Sequence, residues 1–546
     1  MSKDYTFSVM PSVSISRSRF ARKSQHKTSF NLGQIIPIYC DEVLPGDTRS
    51  MDMAALVRMS NPIAPIMDNV VLDYFAFFTP CRLTWKHWKE FMGENSAGAG
   101  IPVQQYSIPY LGDNDYSVVS PGNGTGISVG SYGDYFGLPV EQDDVVGRNK
   151  ISALPFRALA LIYNRWFRNE NLIAPLAVQD DDTNEVIVGE LSGNNYSNFA
   201  CDALSVLKAS KLPDYFTKAL PFAQKGSAVT IPLGTTAPVS LKLVNGVTMP
   251  SGSVTIGANG TGGLNATYQT ISASQGGTTG TGNLIADLSN ATAATINQLR
   301  YAFQLQKLLE KDALYGTRYW EILNAHFGVQ APDASLQDPE YLGGYRQHIN
   351  IDQVLQTTGA TGTQGQTLGT PGANSVTGSK CSLFTKSFVE HGYIIIVAVA
   401  RHESTYGQGI NRMWTRQGRY DFYFPVFANL GAQDIKYKEI YADGSANDDG
   451  VFGFQEAWAE YRMKPSIATG LLRPSATGSL NYWTLGENFA AKPTLGQTFI
   501  EQGRGNLSRA LVTGSTGPDF IADFYFQDIA VRPMPMYSIP GLIDHH

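Results

Sequence analysis

Two runs of this sequence, Val70–Phe78 (VVLDYFAFF) and Tyr393–Ala400 (YIIIVAVA), read as buried strands, yet hundreds of residues lie between them. Both are dense in β-branched and aromatic side chains, and the second extends over Gly392–Arg401. Further strand-like runs fall at Ile35–Tyr39, Asp421–Phe427 and Asp523–Val531. In Asp421–Phe427, Phe422, Phe424 and Val426 would share one face, and Pro425, lacking a ladder donor, assigns that strand to an edge or a bulge. Strands so far apart fit one β-sandwich carrying very long insertions. A chain of 546 residues would otherwise allow three or four domains at about 150 residues each.

The insertions carry helical spacing. Thr84 is placed to cap a short helix whose Trp85, Trp88 and Phe91 recur at helical intervals. Pro155 suits a helix start, followed by Phe156, Leu159, Tyr163 and Trp166. A longer helix begins near Asn297, with Ala302, Leu305, Leu309 and Ala313 on one stripe. Gly316 interrupts it, and Trp320, Leu323 and Phe327 resume the pattern. Periodicity of this kind predicts core packing rather than a functional site. Two segments are of low complexity. Gly226–Ile296 has only Lys242 and Asp287 as charges, and its fragments Val229–Pro232 and Val239–Val244 alternate like small strands. It reads as an exposed insertion with minor β-structure, and Gln356–Ser379 is a shorter segment of the same kind.

Charge is scarce and unevenly placed. Charged residues are 16% of the chain, against about 25% in an ordinary soluble domain. Hydrophobic residues at 43% exclude a disordered chain. The composition also excludes coiled coils and collagen-like fibres. Net charge is −6, but Met1–Lys27 holds Lys3, Arg17, Arg19, Arg22, Lys23 and Lys27 against Asp4 alone, a local +5. A basic arm on an acidic body predicts an anionic partner for the arm. The alternation of Val9, Val13 and Ile15, with Pro11, fits an extended arm, and this N-terminal stretch lacks the apolar core expected of a signal peptide. Tyr393–Ala400 is the longest apolar run, far short of the roughly 18 residues of a membrane span, so no membrane insertion is expected. Cys40, Cys81, Cys201 and Cys381 are widely spaced, which predicts neither a disulfide framework nor a zinc site.

No catalytic constellation assembles. His402-Glu403 lacks the second histidine of a zincin, and neither a P-loop nor a nucleophile elbow is present. Asp180–Asp182 and Asn447–Asp449 lack the grammar of a calcium loop and read as solvated turns. No metal and no cofactor is expected. Two stretches carry nucleic-acid chemistry. In the arm, Arg17, Arg19, Phe20, Arg22, Lys23 and Lys27 would supply phosphate-neutralising charge on a mobile tether, the alternative being a solubilising tail. Downstream, Arg412, Trp414, Arg416 and Arg419 interleave guanidiniums with rings, as single-strand binders do. Aromatic packing with the arginines in salt bridges is the favoured reading of that second stretch.

Longer stretches carry a family resemblance. They include Leu299–Glu310 (LRYAFQLQKLLE), Gly316–Tyr319 (GTRY), Pro339–Gly344 (PEYLGG), Lys386–Tyr393 (KSFVEHGY), Glu460–Ser466 (EYRMKPS) and Arg532–Tyr537 (RPMPMY). In these the chain resembles the major capsid proteins of the Microviridae, small single-stranded-DNA bacteriophages, and the gokushovirus type in particular. Departures concentrate in Gly226–Ile296, with Pro121–Gly137 also poorly matched. The resemblance implies a mainly β fold, an eight-stranded antiparallel jelly roll with long loop insertions carrying several helices. It implies about 60 copies in a T=1 icosahedral shell around circular single-stranded DNA. Residues 1–30 would be the basic arm, and 31–546 a single capsid domain in which 226–296 rises as a three-fold protrusion for host attachment. Implied partners are a minor DNA-pilot protein, an internal scaffolding protein, a small basic packaging protein and a bacterial surface receptor. The expected location is the virion, after synthesis in the host bacterial cytoplasm. The alternative from another class is a secreted carbohydrate-binding β-sandwich adhesin, which the missing signal peptide and the basic arm disfavour. A polysaccharide-degrading enzyme would need a pair of acid/base carboxylates that is not identifiable here.

Overall fold

In a computed structural model, the structure describes residues 15–95, 105–111, 127–140, 149–184, 206–229, 239–241, 257–259, 263–265, 284–286, 296–357 and 368–538. The chain divides into two compact units, one of Met1–Ala223 with Leu314–His546, the other Gln224–Ala313.

The first unit is built on long strands. Four come in quick succession: β1 (Ser18–Phe30), β2 (Ile35–Val43), β3 (Thr48–Met59) and β4 (Val70–Pro80). Four more follow the long insertions: β5 (Glu340–His348), β6 (Thr377–Ser387), β7 (Gly392–His402) and β8 (Phe520–Arg532). They form two four-stranded sheets in the orders β1-β8-β3-β6 and β2-β7-β4-β5. Every pairing between these strands is antiparallel. The chain thus crosses between sheets at β1→β2, β2→β3, β3→β4, β5→β6, β6→β7 and β7→β8. The fold is mainly β.

Period-two burial explains the first sheet. Met51, Met53, Ala55, Val57 and Met59 of β3 face the core, as do Phe520, Ala522, Phe524 and Phe526 of β8. The second sheet supplies Ile36, Leu72, Tyr74 and Ala76 to the same cluster. Strand β7 behaves differently: Gly392–Ala400 is buried on both faces, because helix α1 (Leu154–Ile162) packs on β7 and β4. A strand covered on both sides reads as a continuous apolar run rather than an alternating one.

Several expectations are corrected. Asp421–Phe427 is not a strand; it runs through 3₁₀ turns at Arg419–Asp421 and Pro425–Asn429. Pro425 opens the second turn, where its missing N–H costs nothing. The basic segment is no mobile tether from Ser18 onward, since it pairs with β8 over the register Ser18↔Arg532 to Phe30↔Phe520. Residues 1–14 lie outside the described part. Thr84 caps no helix: it closes the turn Cys81–Thr84 by donating from Oγ1 to the Cys81 carbonyl at 2.8 Å. The helix at Pro155 forms, and it ends in a π-helical turn, Tyr163–Phe167.

Beyond β4, helix α3 (Tyr319–Phe327) follows Gly316, whose φ of +110° stops the preceding helix. No residue of α3 is buried and Phe327 is exposed, so its expected core role does not hold in the single chain. The long segment between β7 and β8 gathers a second apolar cluster around Tyr406, Ile435, Ile440, Phe452 and Phe499.

In the second unit, Val239–Leu241 pairs with Leu284–Ala286, and Gly257–Asn259 with Gly263–Asn265, both antiparallel. Helix α2 (Ile296–Leu314) closes it, with Ala302, Leu305 and Leu309 half-buried and Ala313 buried. Most of the low-complexity insertion 226–296 lies outside the described residues, including 230–232 of its first strand-like fragment.

A candidate nucleic-acid face on the first sheet

Edge strand β1 sorts the basic residues by parity. Arg19, Lys23 and Lys27 are exposed on the solvent side, with Ala21 and Gln25 between them. Phe20, Arg22, His26 and Phe30 fall on the side facing the sandwich interior. The three outward cations recur every fourth residue, about 13 Å apart at about 3.3 Å per residue. Among the described residues none of the three has an ion pair. Arg17, exposed, precedes the strand.

The registers of β8, β3 and β6 continue this solvent face. Gln527 lies across from Lys23, Asp523 across from Lys27, and Tyr525 across from Gln25. Further on come Asp52, Leu56 and Arg58 of β3, and Lys380 of β6 opposite Ala54. The strands therefore show five cations (Arg19, Lys23, Lys27, Arg58, Lys380) against two carboxylates (Asp52, Asp523) on this face. Such a surface attracts polyanions although the whole chain is net negative. Reading the arm alone missed Arg58, Lys380 and Tyr525. Period-two parity around Met51, Met53 and Met59 was the signal that could have found Arg58.

Arg22 does different work. Its guanidinium donates to Asp41 and Asp528, with Nε at 2.9 Å from Asp528 Oδ2. The same cluster holds Arg49, fully buried, and Tyr39, whose hydroxyl accepts from Arg49 at 3.1 Å and donates to Asp528 at 3.2 Å. Arg532 joins through Asp47 at 3.0 Å. Because Tyr39 and Asp41 lie on β2, the cluster ties the two sheets together. Burial opposes charging Arg22, but Asp41 and Asp528 outweigh it and raise its affinity for the proton. Burial likewise works to raise Asp41, and hydrogen bonds from Arg22 and Arg49 hold it below the ordinary carboxylate range. A guanidinium committed in this way is not available to a phosphate, and Phe20, opposite Ala530, lies on the interior side.

The downstream stretch spends its charge inward as well. Arg412 pairs with Glu439 at 2.8 Å, and Arg416 with Glu460 at 2.8 Å, both carboxylates nearly buried. Arg416 also lies 4.6 Å over the Tyr461 ring. Trp414 and Arg419 remain exposed. The acidic triplets are absorbed too. Asp182 accepts from Trp85 Nε1 and His87 Nδ1, each at 2.7 Å, and Asp449 accepts from Lys438 at 2.7 Å. Among the described residues no cluster of His, Cys, Asp or Glu could hold a metal ion, and no helix is long and apolar enough to cross a membrane.

Comparison with known families decides what this scaffold is. The family model described as capsid protein (F protein) matches residues 8–542. The chain belongs to that capsid-protein family. Capsid protein VP1 of Bdellovibrio phage phiMH2K is 41% identical, over 98% of this chain and 97% of the relative. Capsid protein VP1 of Chlamydia phage 1 and capsid protein VP1 of Spiroplasma virus 4 are each 37% identical, again over 98% and 97%. This capsid protein is a structural virion component rather than an enzyme, and capsid assembly makes it oligomeric. The clusters around Arg49 and Glu439 are ties within the subunit.

Proposed function

We propose that this capsid protein folds as an eight-stranded jelly roll and that about 60 copies close a T=1 shell around circular single-stranded DNA. What supports the fold reading is the pair of sheets, β1-β8-β3-β6 and β2-β7-β4-β5, between which the chain passes back and forth. The observation that carries the DNA reading is the net-positive solvent face of the first sheet, with Arg19, Lys23 and Lys27 spaced along its edge. This face turns inward and neutralises phosphates without reading bases, as sequence-independent binding requires. Arg17, exposed before the strand, adds to it, while Phe20 and Arg22 serve the fold.

By family resemblance, the insertion 226–296 makes host contact at a bacterial surface receptor. Scaffolding, pilot and packaging proteins are transient or minor partners, and the chain is made in the host bacterial cytoplasm. The deciding experiment is particle mass by sedimentation or light scattering. A shell of about 60 copies of 59.4 kDa weighs about 3.6 MDa without its DNA. A monomer or small oligomer under capsid-assembly conditions would refute the reading.

A further inference from the structure

The segment Arg412–Leu430, between β7 and β8, leaves most of its rings in solvent. Trp414 is 74% exposed, Tyr420 74% and Val426 86%, and Met413, Phe422 and Leu430 are each at least half exposed. Four of the segment's rings, Tyr420, Tyr423, Phe424 and Phe427, join Trp458 and Tyr461 in one connected group. Tyr420 and Phe424 each contact Phe427 edge-on, Phe427 stacks on Trp458, and Tyr423 touches both Trp458 and Tyr461. From these exposures, and with about 150–250 Å² in each large ring, the open area of the segment's large apolar residues sums to roughly 800 Å². It equals the roughly 800 Å² that one partner contributes to a standard interface.

The backbone under these rings is held. Asn411 accepts from the Met413 N–H at 3.0 Å, and Asp421 accepts from the Gln417 and Gly418 N–H groups at 2.9 and 2.8 Å. Trp458 Nε1 donates to the Phe427 carbonyl at 3.2 Å. A surface fixed in this way loses little conformational entropy when it is covered. Two of its three arginines are turned away from this surface. Arg412 and Arg416 turn inward to Glu439 and Glu460, which leaves Arg419, lying over Phe424, and Asp421 as the segment's remaining charges. Interface cores between proteins are rich in aromatics and methionine and poor in charge. A single-strand binding surface would instead keep its guanidiniums facing outward beside the rings.

We infer that the ring face of Arg412–Leu430 is a contact surface for a second copy of this chain, with Trp414, Tyr420 and Val426 as its most exposed apolar side chains. The inference rests on the shell reading above and names the part of the subunit that carries the association. The bulk of the buried area falls on side chains that serve no core within their own subunit.

The test compares the full chain with Val426→Asp and Trp414→Asp, both on exposed side chains. The expected result is shells from the unaltered chain, about tenfold or more less assembled material from either variant, and unchanged thermal unfolding of the unassembled subunit. A near-isosteric Val426→Cys chain provides a reading that does not depend on lost assembly. Its thiol reacts with a maleimide in the dissociated subunit and is protected in the particle. Wild-type assembly by both aspartate variants, or equal thiol reactivity before and after assembly, overturns the inference. So does a variant whose particles form normally and lose only DNA, which would assign the rings to the genome. Failure of the unaltered chain to form shells would instead overturn the shell reading itself.

Discussion

Asp528 presents both carboxylate oxygens to Arg49: Nε lies 3.0 Å from Oδ1 and the terminal nitrogen 2.6 Å from Oδ2, with neither side chain reaching solvent. Arg49 also reaches Asp41 on the opposite sheet. A buried pair of this kind adds little net stability over apolar residues of the same shape, but losing one partner leaves an uncompensated charge. Arg49→Met should therefore cost about 3–5 kcal/mol, read as a fall in the urea midpoint of the dissociated subunit. An unchanged midpoint would mean the cluster is not what ties the sheets together.

Parity along β1 separates binding from folding. Replacing Arg19, Lys23 and Lys27 together with glutamine should leave the unfolding midpoint in place. It should lower the salt dependence of DNA binding, the log–log slope falling by about 2, or about 0.7 for each lost phosphate contact. Arg22→Gln should do the reverse, lowering stability and leaving the slope alone. If the triple variant packaged DNA with the wild-type slope, the face would have no role in it.

Gly344 has no room for a side chain. A Cβ there would sit 2.5 Å from the Tyr74 carbonyl oxygen on β4, and one on Gly343 would overlap that of Leu383 on β6. Both obstacles are backbone, which cannot swing aside. Gly344→Ala should lower the unfolding midpoint by an amount typical of overpacking, about 1–3 kcal/mol.

Two groups of buried ionisable residues give stability its pH dependence. Asp73 is paired with Arg346 at 2.5 Å and with Arg401. Burial alone would raise its proton affinity, but the two guanidiniums hold it below the ordinary carboxylate range, as Arg22 and Arg49 do for Asp41. The unfolded chain takes up those protons near pH 3.9, so their stabilisation is present above that value and is lost as pH falls through the folded values. The urea midpoint should drop steeply below about pH 4, and less steeply in Asp73→Asn. His402 acts in a milder range. Its Nδ1–H donates to the Glu403 carbonyl at 2.9 Å, its ring is buried near Glu487, Asp68 and Lys211, and burial lowers its proton affinity. The unfolded histidine charges near pH 6.5 and the folded one only at lower pH, so the stability is fully present above about 6.5 and declines as pH falls below it. His402→Gln should flatten that decline, by at most about 1.4 kcal/mol for each pH unit.

What the sequence reveals of this fold follows how each strand is covered. Strands β4 and β7, buried on both faces, are legible as dense apolar text, interrupted in β4 by Asp73. Strand β8, half-covered, is legible from its alternating Phe520, Phe524 and Phe526. Strand β5 is hidden because Gly343 and Gly344 lower its β-propensity, and they are glycines only because β4 and β6 approach so closely. Strand β6 is broken by a bulge between Ser382 and Phe384, which shifts its period midway. Asp421–Phe427 fails for the opposite reason: its aromatic alternation is real but faces solvent, and periodicity cannot distinguish a core from a contact surface. The basic residues of β1 are legible as charge. Which of them point outward depends on pairing with a strand some five hundred residues later.

That pairing orders events during synthesis. Strand β8 lies between β1 and β3, so the middle of the first sheet is the last long strand to leave the ribosome. Until Phe520–Arg532 has been translated, β1 has no partner in its sheet, and the inner faces of β1 and β3 have nothing between them. Pairings this distant along the chain form slowly, and unfinished sheet edges attract aggregation. A prematurely terminated polypeptide therefore lacks a completed sheet to offer its neighbours.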